Sequence, residues 1–141
     1  VAVNLRADCV ERLASGGAVL MAKGWHIVRN GPVLTLSRHL PARFDFESQV
    51  RLPKARRAAL AHQIRQDVWR ALQHVRGFSP VIEVTDIGHD VIVRAGGRML
   101  PPSNVFRLHR MVALVLENGD NQQRWGRFSA PNDTLTERAA L

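Results

Sequence analysis

Residues 53–76 constrain the fold more than any other stretch: after Pro53 they contain neither glycine nor proline, and their apolar positions recur with helical spacing. Pro53 suits a first helical turn, where its missing N–H is not needed and its fixed φ already fits. At the other end Gly77 can take the left-handed conformation that closes a helix, Arg76 complements the negative end of the dipole, and Pro80 prevents continuation. Leu60, Ile64, Val68, Ala71, Leu72 and Val75 fall on one apolar stripe at about 100° per residue. Such a helix has about seven turns and a length of roughly 36 Å, enough to cross a small sheet. Trp69 lies at the border of the stripe, where it either packs at the core boundary or offers a stacking surface to a nucleobase or a partner.

Positive charge concentrates on the same stretch, where Arg51, Lys54, Arg56, Arg57, Arg65, Arg70 and Arg76 face a single acid, Asp67. The cations do not share one stripe. Arg56 and Arg70 fall to one side of the apolar face, Lys54 and Arg65 to the other. One reading is a solvated surface whose long stems drape over the core edge. The other is an electrostatic footprint for phosphate, supported by the cluster at Lys54, Arg56 and Arg57, where cations at a helix start oppose the dipole. The whole chain holds 20 Lys and Arg against 12 Asp and Glu, a net charge of +8 that favours DNA, RNA or another polyanion. All the basic residues but Lys23 and Lys54 are arginine, whose planar fork suits bidentate phosphate and guanine contacts, although a GC-rich genome produces the same bias.

A length of 141 residues suits one domain with a real core, and 45% hydrophobic with 23% charged residues is ordinary for a globular chain. Cys9 is the only cysteine, which excludes an internal disulfide and fits a reducing, cytoplasmic compartment. No apolar run approaches the roughly 20 residues that span a bilayer. Arg6 and Asp8 argue against an opening signal peptide.

Asp8 is placed to cap a first helix with Val10, Leu13, Ala14, Gly17 and Met21 on one face, ending near Gly24, unless Gly16 and Gly17 end it early and a strand begins at Ala18. Residues 25–29 and 33–37 read as a hairpin around Asn30 and Gly31. Residues 43–51 alternate, with Phe44, Phe46, Ser48 and Val50 on one face, and form a third strand. After the long helix, 80–85 and 91–95 form a second hairpin whose valines and isoleucine place apolar groups on both faces, so that a second subunit becomes a candidate cover for one of them. Ser103 caps a last helix through Glu117, with Val105, Leu108, Val112 and Val115 inward and Asn118 and Gly119 as its stop. The expected fold is α+β: a mostly antiparallel sheet of about five strands in the order α-β-β-β-α-β-β-α, with one long helix packed across it. Residues 1–119 form a single compact domain in this reading, and 120–141 a polar tail that frays or docks on a partner.

Few residues suggest chemistry. Gly96 and Gly97 lack the pattern of a nucleotide-binding loop. The histidines at 26, 39, 62, 74, 89 and 109 are scattered, and His62 and His74 would lie about 18 Å apart along a helix, so no metal or other cofactor is expected. Asp8 and Glu11 beside Cys9 would raise its pKa, which suits an incidental thiol and not a nucleophile. Asp45, Glu47 and Glu83 are carboxylates on strands, the residue type a magnesium-dependent nuclease gathers on a sheet face to hold its ion and activate water. Residues 13–30, with Gly24, Trp25, His26, Ile27 and Val28 at their centre, resemble the helix-then-strand opening of small restriction-endonuclease-like proteins. That resemblance implies a nuclease fold, but Thr85 stands where the family's Glu-x-Lys motif would put lysine, and residues 33–37 carry no acid.

The leading expectation is a non-enzymatic nucleic-acid-binding module that grips the phosphate backbone of DNA or RNA with two arginine groups. Lys54, Arg56, Arg57, Arg65 and Arg70 make one; Arg94, Arg98, Arg107 and Arg110, in a segment free of acids, make the other. Trp25, Trp69 and Trp125 are the aromatic groups able to stack on bases. The alternative is a structural or interaction protein, an assembly subunit or adaptor, that forms a homo-oligomer or docks on another protein through the two-sided sheet and the tail.

Overall fold

Two hairpins generate most of the sheet. Gly31, at φ 59°, and Gly88, at φ 101°, supply the left-handed turn residues that a side chain would strain. The computed structural model describes residues 18–20, 24–101 and 104–131. Among these, the elements are β1 (Ala18–Leu20), β2 (His26–Asn30), β3 (Val33–Ser37), β4 (Phe46–Pro53), α1 (Arg57–Leu72), β5 (Ser79–Asp86), β6 (Asp90–Arg98), α2 (Val105–Glu117) and α3 (Gly119–Phe128). The strands form one sheet in the order β1-β2-β3-β5-β6-β4, with every neighbouring pair antiparallel. This is an α+β fold. The hairpins meet through β3 and β5, and β4 crosses to the far edge beside β6, so α1 connects two parallel strands with β6 between them.

Register assigns the two faces. Leu34, Val84, Val93 and Val50 lie side by side across four strands, as do Leu36, Ile82, Ala95 and Ser48. The apolar members of these rows pack with Leu60, Ile64, Val68 and Leu72 of α1, Leu108, Val112 and Leu116 of α2, and Trp125 of α3 in one core. The opposite face was expected to be apolar as well. It carries Val28, Val81 and Ile92, but its centre is the row Thr35, Glu83, Arg94 and Gln49, so it is not a continuous apolar surface in need of a second subunit. No described helix is long and apolar enough to cross a membrane.

Three elements differ from expectation. The central helix covers Arg57–Leu72 and not 53–76, because β4 runs on through Pro53. As the last residue of an edge strand, proline withholds an N–H that no neighbour requires. Arg56 is still extended, and its backbone N–H and guanidinium bind the carbonyls of Ser129, Phe128 and Ala130 at the end of α3. Gly77, at φ 68°, does take the left-handed conformation, and Leu100 packs where its side chain would be. In the N-terminal region, residues 18–20 form a strand paired with β2, so a helix does not continue to Gly24; the rest of that expected helix, with Asp8 and Cys9, lies outside the described residues.

The third difference is in the segment read as a tail. Asn118 ends α2 and caps the next helix at once, its side chain accepting from the Asn121 N–H at 3.0 Å. The resulting α3 buries Trp125 completely, and the indole N–H donates to Asp67 of α1 at 2.6 Å. Ser103, the expected cap of α2, lies outside the described residues; Asn104 performs that role by accepting from the Arg107 N–H at 3.0 Å. On α2, Val105 is exposed and Leu116 is buried in its place.

Replacement of Trp125 by alanine should lower unfolding free energy by about 3–5 kcal/mol, the usual cost of removing a buried aromatic side chain. Replacement of exposed Phe128 should change it by no more than about 0.5 kcal/mol. Urea unfolding of the two variants checks the pair: equal midpoints would mean that α3 is not docked.

Candidate functional site

The fold distributes the arginines over several surfaces. Arg56 is committed to the end of α3, and Arg57 donates to the Gly31 carbonyl at 3.1 Å. Arg70 pairs with Asp67 at 3.3 Å. Arg94 stands on the opposite face of the sheet, bonded to Glu47, 3.7 Å from Glu83, and over the Phe44 ring at 4.2 Å. Its pKa is raised by the Glu47 hydrogen bond, against the opposing effect of burial. Arg98 lies at the end of β6 near Asp45. Arg107 and Arg110 are exposed on α2, and Lys54 between β4 and α1. Arg94 is therefore separated from the cations of α1 and α2, which cover the other face of the sheet.

The carboxylates considered for metal binding are held by guanidinium groups. Glu47 and Glu83 both face Arg94. Asp45 binds Arg43 through two oxygens and accepts from the Met99 N–H, contacts that hold its carboxyl below the usual range. Among the described residues, no group of three or more His, Cys, Asp or Glu side chains is arranged to hold a metal ion.

One place gathers charge differently. Trp25 precedes β2 and shares the inner face with Ile27; Arg38 follows β3 two residues after Leu36; Arg65 and Trp69 lie on the flank of α1 away from Asp67. The fold brings them together around a recess of about 290 Å³ lined also by Phe78 and Pro80. The Arg65 guanidinium sits 4.6 Å from the centre of the Trp25 ring and that of Arg38 5.3 Å from it. Two like charges share one indole, and none of the described lining residues is acidic. Contact with the ring supplies each cation with about 0.5–2 kcal/mol. That does not replace hydrogen bonds: the Nε of Arg65 is buried without a partner. Burial first, and Arg38 second, lower the pKa of Arg65. An anion in the recess would offset the repulsion between the two guanidinium groups.

The aromatic wall is built from the core outward. Phe46 and Phe78 are buried with centroids 5.7 Å apart, and Trp69 lies nearly parallel on Phe78, 5.9 Å away at an interplanar angle of 8°. Trp69 nevertheless keeps 43% exposure. The sequence pointed to Trp25, Trp69 and Arg65 separately and missed Arg38. The available signal was parity, since Leu34, Leu36 and Arg38 alternate in step and an arginine in a core-facing row is unusual.

A second basic recess of about 370 Å³ lies between the end of α1 and the start of α2, where Arg107 meets His74, Arg76 and Asn104 beside Ala71, Val75, Leu108 and Met111. It is larger but has no aromatic wall. The first recess is the stronger candidate because it combines stacking surface, paired guanidiniums and an unanswered buried donor. Comparison of the chain with protein-family models, with curated proteins and with solved structures finds no match.

His62, one turn before Arg65 on α1, should report on this charge. Burial and, secondarily, Arg65 hold its pKa below 6.5. The unfolded chain therefore takes up this proton first as pH falls below 6.5, and the stability tied to neutral His62 is lost as pH passes down through the lower folded value. An NMR titration of the ring should give a midpoint below 6.5, and Arg65→Gln should move it part of the way back up, burial retaining the rest.

Proposed function

We propose that this chain is a non-enzymatic nucleic-acid-binding module whose arginines engage the phosphate backbone, centred on the recess of Trp25, Arg38, Arg65 and Trp69. The observation that carries the reading is the Arg65 guanidinium, brought beside a second cation on one indole, with its Nε buried and unanswered. Phosphate carries the negative charge and the acceptor oxygens that a guanidinium group binds. The net charge of +8 adds long-range attraction.

Binding of a labelled oligonucleotide, followed by fluorescence anisotropy, tests this. Counterion release from a strand held at two phosphates predicts about sevenfold weaker binding between about 50 mM and 200 mM salt, and more with further contacts. Arg65→Gln should weaken binding at both salt concentrations. Absence of measurable affinity at the lower salt would end the proposal.

Phe106 and Leu114 favour a second reading. They are 74% and 64% exposed on α2 and suit an interaction protein that docks through that helix rather than through the sheet. Light scattering showing a stable oligomer, dispersed by Phe106→Ser and indifferent to nucleic acid, is the result expected of that alternative.

A further inference from the structure

We infer that the recess accepts an unpaired nucleotide, its base laid against Trp69 and its phosphate on Arg65, so that the nucleic acid recognised is single-stranded; the inference rests on the nucleic-acid reading above. Trp69 carries the first part of the argument. One face of the indole is backed by Phe78, itself packed on Phe46, so the ring is fixed from the core outward while 43% of the residue stays exposed. A rigid, exposed aromatic ring is a stacking platform. Bases inside a duplex already have both faces covered by their neighbours, and only an unpaired base has a face to offer.

The cations carry the second part. The guanidinium of Arg65 is drawn back onto Trp25, inside a recess of about 290 Å³, and does not project from the surface. That volume sits at the lower limit of small-molecule sites, roughly 300–1,000 Å³, and suits one flexible unit of a strand. A rigid double helix presents its phosphates on a convex outer surface, where projecting side chains meet them, as Arg107 and Arg110 on α2 would. An acidic peptide would satisfy the guanidinium but leave the aromatic wall unused. A nucleotide uses the charge and the stacking surface together.

The test uses the whole chain and two labelled probes of about ten nucleotides, a single-stranded oligothymidylate and the same strand fully paired, with an acidic peptide of similar charge as a third ligand. The single strand should bind about tenfold or more tightly than the duplex. Trp69→Ala should weaken single-strand binding roughly five- to a hundredfold, whereas Trp69→Phe, which keeps a stacking ring, should retain most of the affinity. Arg65→Lys keeps the charge but not the planar fork and should weaken single-strand binding with the indole platform intact, which covers the case in which Trp69→Ala fails to fold. Equal affinity for duplex and single strand, equal affinity for the acidic peptide, or folded Trp69→Ala binding as tightly as the parent overturns the inference and leaves general polyanion binding standing. No binding to any of the three removes the underlying reading as well.

Discussion

Asp67 is the interaction on which the helical layer depends. It is the sole acid of α1, and it accepts from the Trp125 indole, from Arg124 of α3 and from Arg70 one turn along its own helix. A carboxylate answered by three donors can be withdrawn from water at tolerable cost, and here it fixes a short polar helix that has little apolar surface of its own. Trp125 then closes the core beside Leu60 and Ile64. The arrangement also separates the two flanks of α1. Its one negative charge is engaged on the α3 side, which leaves the side facing Trp25 with Arg65 and Trp69 and no acid from the helix to neutralise them.

Several of the arginines have a local structural role. Arg43, Arg51, Arg94 and Arg124 each pair with a carboxylate, while Arg56 and Arg57 serve backbone carbonyls. The exposed pairs contribute little stability individually, but they remove those arginines from the set available to a ligand. What remains is sorted by environment more than by number. Arg65 stands out because it is half-buried, lies against an aromatic ring and lacks a hydrogen-bond partner for Nε, three conditions that composition and spacing do not report.

The sheet was legible in the sequence where a local rule governs it. Asn30 and Gly31 set the first hairpin, alternation at Phe46, Ser48 and Val50 marked β4, and β-branched runs marked β5 and β6. Errors arose where a local signal had two uses. Pro53 suits the first turn of a helix and the last position of an edge strand equally well, and tertiary pairing with β6 selected the strand. Asn118 and Gly119 read as a stop, yet the same asparagine that ends α2 begins α3. The polar composition of α3 concealed it, because one tryptophan and one distant carboxylate hold it in place instead of an apolar stripe. The recess was legible only in fragments, since its two cations come from a strand end and a helix flank, and their approach to Trp25 is set by the β2–β3 pairing and by the position of α1 across the sheet.

The three indoles occupy three unlike electrostatic settings. One is sealed in the core with its N–H on a carboxylate, one lies beneath two guanidiniums, and one rests on a phenyl ring at the surface. Emission from the native protein is therefore a composite of separable contributions. Trp125 should follow the global unfolding transition, while Trp25 and Trp69 sense the surroundings of a single surface depression. Single-tryptophan versions of the chain would thus turn features of the fold into optical probes, with no added label.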